Sequence, residues 1–286
     1  MQSVTSTPLV PPELQAKRQS LYDLLCRAGR VLVAYSGGVD SAYLAWAAHE
    51  AIGNKMLAVI ADSPSLARVQ LRDAMAFAEE QHIPLHRIVT DEMQNPDYVK
   101  NDSMRCFHCK DELFTVMEQF RDLRGYNTVA YGVNVDDQGD WRPGQQAAKR
   151  HGVSAPLLEA GLTKSDIRAL AVAAGLRVWD KPASACLSSR IEYGRPVTRE
   201  ALEQIERGED ILRDLGLRQY RVRHHGEIVR IEIAREELPS VLTLELFERL
   251  TREFKALGFK FVTLDLEGFR SGSMNALLSI DTLAAK

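Results

Sequence analysis

The sequence has no run of eighteen apolar residues, so it offers no transmembrane helix. It has no excess of positive charge either. A formal net charge of -3 argues against a surface built mainly to neutralise nucleic-acid phosphates, which leaves room only for a local basic site. The stretch Met1 to Pro12 carries prolines and small polar residues but lacks the basic-then-apolar order of a signal peptide, and reads as a frayed leader (residues 1–13) on a cytoplasmic protein. Cysteines number four, which does not suit a secreted disulfide framework in a chain of 286 residues. Two of them form Cys106-Phe-His-Cys109, a pair that in a reducing compartment more often binds a metal or does chemistry. Two familiar phosphate motifs are also missing, the Walker A Gly-Lys-Ser/Thr and the Gly-x-Gly-x-x-Gly of dinucleotide folds.

What is present centres on Tyr35-Ser36-Gly37-Gly38-Val39-Asp40-Ser41, between the apolar run Val31-Leu32-Val33-Ala34 and a helix-forming run, Ala42 to Ala51. Adjacent glycines let the backbone approach an anion, and Ser36 and Ser41 add hydroxyl donors. The new helix supplies N–H groups and the positive end of its dipole, so a phosphate belongs there. The loop resembles the SGGxDS pyrophosphate loop of the ATP-pyrophosphatase (PP-loop) superfamily, whose members cleave ATP between its α- and β-phosphates. That resemblance implies that Gly37, Gly38, Asp40 and Ser41 hold the leaving pyrophosphate.

Apolar runs Val31 to Ala34, Met56 to Ile60, Leu85 to Val89 and Thr128 to Val133 alternate with helix-forming stretches, the last of these running from Cys109 to Leu123. This predicts a parallel sheet with helices on both faces. Ligands of such sheets sit beyond the carboxyl ends of the strands, where the polar clusters 36–41, 62–65 and 134–137 all fall. Asp62 either lies where the resemblance implies that adenosine is received or simply ends its strand in an Asp-Ser-Pro turn. The segment Tyr131-Gly132-Val133-Asn134-Val135-Asp136-Asp137 looks like the Gly-x-Asn-x-Asp/Glu element of the same enzymes, which makes Gly132 and Asn134 nucleotide-site candidates. Asp136 and Asp137 either hold Mg²⁺ or cap the following turn. Lys164, after the N-cap candidate Thr163, either reaches a phosphate as a point charge or is a solvated first-turn lysine. Cys26 sits in an amphipathic helix with Leu21, Leu24 and Leu25 and reads as a packed core thiol.

From Pro196 the pattern changes to a helix over Thr198 to Leu215, strands at Gln219 to Arg223 and Glu227 to Ala234, a helix near Thr243 to Leu257 and a strand at Phe261 to Leu266. A PP-loop domain over residues 14–195 is thus followed by a smaller C-terminal α+β domain over residues 196–286, a substrate or oligomerisation module. Arg221 and Arg223, two apart on one strand, share a face. Glu209 and Glu232 are further candidates for a metal or a subunit contact.

The second stretch that carries chemistry is Asp180-Lys181-Pro182-Ala183-Ser184-Ala185-Cys186-Leu187-Ser188-Ser189-Arg190. Its proline and small residues exclude a regular helix and predict a loop that exposes the thiol. The flanking Lys181 and Arg190 favour the thiolate that a nucleophile or metal ligand requires.

Together, the SGGVDS loop, the KPxSxCLSSRI segment, Arg221-Val-Arg223-His-His-Gly226 and Leu264-Asp-Leu-Glu-Gly268-Phe-Arg-Ser-Gly-Ser-Met-Asn275 resemble the LarE family. These are ATP-dependent sulfur transferases that help make the nickel-pincer nucleotide cofactor of lactate racemase. The resemblance implies adenylation of a carboxylate on pyridinium-3,5-biscarboxylic acid mononucleotide, then its conversion to a thiocarboxylate, with Arg221 and Arg223 meeting the anionic substrate. One form of the family gives up the sulfur of a lone cysteine matching Cys186 and turns over once. Cys106 and Cys109 depart from that form. With Cys186 they make three catalytic and metal-ligating candidates for a [4Fe-4S] cluster, as in a second branch; zinc with His108, or uncoordinated thiols, are the alternatives. The implied cofactors are ATP, Mg²⁺ and the cluster. The implied partners are the small-molecule substrate, further copies of the chain in a homo-oligomer, a sulfide donor and a downstream nickel-insertion protein, with neither nucleic acid nor membrane. Rival readings are a tRNA thiolase, an amidating synthetase and a non-catalytic nucleotide or cluster carrier.

Overall fold

The structure, a computed structural model, describes residues 10–138, 143–182, 185–270 and Met274. Most of the leader, Asp140 to Arg142, Ala183-Ser184 and most of Ser271 to Asn275 lie outside the described residues. In chain order the elements are α1 (Pro12–Ala28), β1 (Val31–Ala34), α2 (Val39–Ile52), β2 (Met56–Asp62), α3 (Arg68–Glu80), β3 (Leu85–Val89), α4 (Pro96–Val99), α5 (Arg105–Arg124) and β4 (Thr128–Tyr131). They continue as α6 (Pro143–Arg150), α7 (Pro156–Glu159), α8 (Lys164–Ala173), α9 (Arg199–Asp214), β5 (Tyr220–His225), β6 (Ile228–Ile233), α10 (Leu238–Val241), α11 (Leu244–Ala256) and β7 (Phe261–Leu264), with short 3-10 turns between. Among the described residues no helix is long and apolar enough to cross a membrane.

Contacts sort the chain into two compact units. The first takes residues 1–63, 68–90 and 110–184; the second takes 64–67, 91–109 and 185–286. The first is built on a four-stranded parallel sheet in the order β3-β2-β1-β4, flanked by helices. All four residues of β1 are buried, which is why it reads as a continuous apolar run rather than an alternating one. α2 buries Ala42, Tyr43, Leu44, Ala45, Ala47 and Ala48, and its small residues let it lie close against α1 and α8. From β1 the chain winds outward through β2 to β3 and then returns to the other side of β1 as β4. The order reverses between β1 and β4, and the crevice beyond their carboxyl ends is where such a sheet receives a ligand.

The second unit has a mixed sheet, β5-β6-β7, with β5 and β6 antiparallel and β6 and β7 parallel. Gly226, at φ +72°, closes the β5–β6 turn in the left-handed region. Val222, Val229, Ile231 and Ile233 are buried with Leu202, Ile205 and Leu212 of α9 and Phe254 of α11. Each such side chain contributes about 1.5–3 kcal/mol when fully removed from water. α9 starts where Thr198 accepts a hydrogen bond from Ala201 N at 3.1 Å, as its sequence predicts.

The expected α/β class, a parallel sheet flanked by helices with a separate smaller α+β module, is the fold observed. Two local expectations need correction. α5 begins at Arg105 rather than Cys109, because Asp102 Oδ1 accepts from Met104 N at 2.8 Å and starts the turn early, which carries both Cys106 and Cys109 into the helix. Cys26 is exposed rather than packed. Leu21 and Leu25 take the buried face of α1, and the next residue is rotated about 100° away from it.

Candidate active site

In the first unit the loop after β1 is stapled by its own hydroxyls. Ser36 Oγ and Ser41 Oγ lie 3.1 Å apart, Ser36 N donates to Ser41 Oγ at 3.2 Å, and Ser41 Oγ donates to Gly38 O at 3.1 Å. Gly37 has φ +72°, and a Cβ built there would sit 2.5 Å from Ala74 Cβ. Gly38 is the N-cap of α2 at φ -76°, with no side-chain cap on the helix end. A Cβ on Gly38 would meet nothing nearer than Ser36 Oγ at 3.6 Å, so neither backbone strain nor packing demands glycine there. What glycine leaves is room at a helix N-terminus, the place for a phosphate. Gly132, after β4, is pressed on this loop: its Cβ would lie 2.8 Å from Ser41 N.

The charges around the loop are fixed by several elements. Lys164 Nζ, on α8, is 3.7 Å from Asp40 Oδ2. Asp40 Oδ1 is buried without a hydrogen-bond partner. Burial first, and then the charge of Asp137, raise the Asp40 carboxyl above its ordinary value against the pull of Lys164. An unsatisfied buried carboxylate oxygen with a second carboxylate nearby is a hard donor set that fits Mg²⁺, which takes one or two carboxylates and fills its shell with phosphate and water. Asn134 and Asp137 form a capping box, with Asn134 N donating to Asp137 Oδ2 at 3.1 Å, and Asp136 Oδ2 accepts from Lys164 N at 2.7 Å. Asp62 is paired with Arg68 at 2.5 Å and Arg87 at 3.3 Å. Lys181, which sequence adjacency assigns to the surroundings of Cys186, donates to Gly37 O at 3.1 Å instead, and burial pushes its ammonium down.

In the second unit Cys186 is half-buried at the N-cap of a short 3-10 turn, Leu187–Arg190, with Sγ 3.0 Å from Ser188 Oγ. Arg190 is almost wholly buried. Its Nη1 donates to Ala185 O at 2.5 Å and Cys186 O at 2.9 Å, while Nε lies 2.9 Å from Glu209 Oε1. It therefore pins the backbone that carries the thiol. Arg221 and Arg223 share a face of β5, as their spacing predicts, with Arg221 half-buried and Arg223 buried. Arg223 is buried and pairs with the fully buried Glu232 at 2.7 Å; its Nη1 donates to Ser189 O at 3.3 Å. The Arg221 guanidinium is pushed down to about 10 by burial first and then by Arg190, with Glu209 working the other way. Glu209 and Glu232 thus neutralise arginines, Glu232 facing Arg230 at 3.2 Å as well as Arg223, and guanidinium forks of this kind suit an anionic nucleotide.

Three residues of this unit escape sequence reasoning: Arg105, Tyr98 and Tyr193. Arg105 is 4% exposed and donates from Nη1 to Asn101 Oδ1 at 2.5 Å and Ser188 O at 2.9 Å, with its Cζ 5.4 Å from the Tyr193 ring centre. Burial works against its charge, but Cys186 and then Cys106, with Tyr193 and Tyr98, outweigh that and hold the guanidinium above its ordinary value. Burial pushes the Tyr98 phenol up, helped by Cys186 and Cys109. The fold therefore brings all three cysteines within electrostatic reach of one Arg–Tyr pair. The only signal in the sequence is an arginine immediately before the Cys-x-x-Cys pair. Among the described residues no group of three or more His, Cys, Asp and Glu side chains is placed to hold a metal ion by itself. The expected iron-sulfur cluster therefore finds no support among the described residues.

No family model matches the chain. Over 266 residues it is 41% identical to an uncharacterised protein of Synechocystis sp., spanning 93% of this chain and 99% of that one. It is 35% identical over 273 residues to the pyridinium-3,5-bisthiocarboxylic acid mononucleotide synthase of Lactiplantibacillus plantarum, 95% of this chain and 98% of that enzyme. An uncharacterised protein of Methanocaldococcus jannaschii is 30% identical over 242 residues, 85% and 91% of the two chains.

Proposed function

The chain belongs to the LarE family, the pyridinium-3,5-bisthiocarboxylic acid mononucleotide synthases, and from that premise we propose that it is an ATP-dependent sulfur transferase acting on a pyridinium mononucleotide. The observation that carries this reading is Cys186, half-exposed on a turn whose carbonyls Arg190 pins, in a unit that also holds the Arg221 and Arg223 pair. A carboxylate is a poor electrophile until its oxygen joins a good leaving group. ATP supplies that group as AMP, and pyrophosphate leaves into the glycine loop, where Ser36, Gly37, Gly38 and Ser41 shape the anion site and Lys164 and Lys181 bring positive charge. Asp40 and Asp137 are the residues that would hold Mg²⁺, which supplies charge neutralisation of the phosphates when bound. Asp136, whose Oδ2 accepts from the Lys164 amide, is the further candidate for the same ion.

The sulfur then comes from Cys186. Its Sγ bonds to the activated acyl carbon as AMP departs with the electron pair of the broken C–O bond. Elimination frees the thiocarboxylate: a base takes the Cα proton, the C–H pair becomes the Cα=Cβ bond, and sulfur leaves with the Cβ–S pair. A [4Fe-4S] cluster on Cys106, Cys109 and Cys186 would spare that sacrifice, but no metal-holding group is found among the described residues and no step here runs through it. We place the reaction in the cytoplasm, in a homo-oligomer whose product serves nickel-pincer cofactor synthesis for lactate racemase.

The test is to incubate the protein with ATP, Mg²⁺ and pyridinium-3,5-biscarboxylic acid mononucleotide, following pyrophosphate, AMP and thiocarboxylate. Cys186→Ala should retain pyrophosphate release and form no thiocarboxylate. Thiocarboxylate at the normal rate from that variant, or ADP in place of AMP, refutes the reading. Spent protein lighter by one H₂S at Cys186 supports the elimination route; unchanged mass with stoichiometric iron in protein purified without oxygen supports the cluster.

A further inference from the structure

Three arginines of the second unit are nine-tenths or more buried: Arg105, Arg190 and Arg223. A buried guanidinium is costly unless a counter-charge accompanies it. Arg190 has Glu209 at 2.9 Å and Arg223 has Glu232 at 2.7 Å. Arg105 has no carboxylate at ion-pair distance among the described residues. Its Nη1 is satisfied by an amide oxygen and a carbonyl, neither of them charged, and its Nε–H is buried and meets no acceptor. A buried donor left without a partner, on a cation left without an anion, is the departure from ordinary packing that marks a place for an arriving group. Ser188 links this arginine to the thiol: its carbonyl takes Arg105 Nη1, and its hydroxyl lies 3.0 Å from Cys186 Sγ.

We infer that Arg105 is the oxyanion-binding residue of sulfur transfer, donating from Nε–H to the acyl oxygen while Cys186 attacks the carbon that bears it. This assignment rests on the sulfur-transfer reading and adds to it the residue that meets the charge. In the step, Cys186 Sγ gives its proton to solvent and forms the S–C bond, and the C=O π pair moves onto oxygen, where Arg105 receives it. The pair then returns to re-form C=O, and the bond to the AMP oxygen breaks with its electrons leaving on AMP. No electron is gained or lost overall. The site accepts an acyl group whose oxygen becomes negative as its carbon turns tetrahedral, flanked by the Tyr193 ring.

The test uses the full chain as Arg105→Ala and Arg105→Lys, with pyrophosphate and thiocarboxylate measured in single turnover. Both variants should release pyrophosphate as the parent does, which also reports that they fold. Thiocarboxylate formation should fall on the order of 10²–10³-fold in Arg105→Ala, the usual effect of deleting one oxyanion donor. Free guanidinium should restore part of it, and Arg105→Lys should fall between the two. Normal transfer in Arg105→Ala overturns the assignment, and so does joint loss of both activities without rescue by guanidinium, which is what a purely structural arginine gives. Absence of thiocarboxylate from the parent protein overturns the sulfur-transfer reading itself and this assignment with it.

Discussion

Gly37→Ala is the sharpest perturbation of the phosphate loop, because two separable penalties fall on one methyl group. At φ +72° an alanine is forced into the left-handed region, which costs about 1–2 kcal/mol. Its Cβ also arrives 2.5 Å from Ala74 Cβ, far inside van der Waals contact, and since Ala74 is 1% exposed on α3 it has little freedom to retreat. Overpacking of this kind costs about 1–3 kcal/mol. The single variant should therefore lose roughly 2–5 kcal/mol, the sum of the two estimates. Ala74→Gly alone should lose about 2 kcal/mol, from helix propensity and one buried methyl. The double variant removes the clash but keeps the backbone strain, so its loss should be smaller than the sum of the singles by about 1–3 kcal/mol. Urea denaturation followed by circular dichroism gives all four stabilities. Strict additivity would show that Gly37 is needed for its dihedral angle alone and that the contact with Ala74 carries no energy.

Two further outcomes follow from buried charges. The Asp40 carboxyl is raised above 3.8, so the fold holds more protons than the unfolded chain just above that pH, and stability falls as pH rises through the window up to the folded value. Asp40→Asn does not titrate. It should be more stable than the parent at pH 7 without nucleotide while losing ATP use, and the stability gap should close towards pH 3.8; equal gaps in urea midpoint at pH 7 and pH 4 contradict this. Glu232→Gln removes a wholly buried carboxylate that faces both Arg223 and Arg230 and should cost about 3–5 kcal/mol. Adding Arg223→Met should recover much of that loss, and a single-variant loss under about 1 kcal/mol would mean that water already screens the pair.

The strand-loop-helix setting of Ser36 to Ser41 is legible from residues alone, since a buried strand must be apolar throughout and a helix must begin where the glycines end. The same holds for β5 and β6, whose alternation and central glycine write out a hairpin. Side-chain partners are less legible. Lys181 and Arg190 flank Cys186 in sequence, yet their donors go to Gly37 O in one case and to backbone carbonyls and Glu209 in the other. A long flexible cation reaches several ångströms in any direction, so adjacency in sequence says little about what it holds. Asp102 moved the start of α5 by four residues through one hydrogen bond, a local competition that periodicity does not register.

What the sequence determined by itself is the order of elements, the glycine loop between β1 and α2 and the non-helical turn that presents the Cys186 thiol, because those depend on backbone freedom, apolar spacing and residue chemistry within a few positions. Only the tertiary structure decided which cation stands by that thiol. Arg105 precedes Cys186 by eighty-one positions, and its charge finds its place through Asn101, Ser188 and the two tyrosines that folding gathers around it. Charge and burial are properties of a surrounding assembled from distant segments, and no window of the chain contains it.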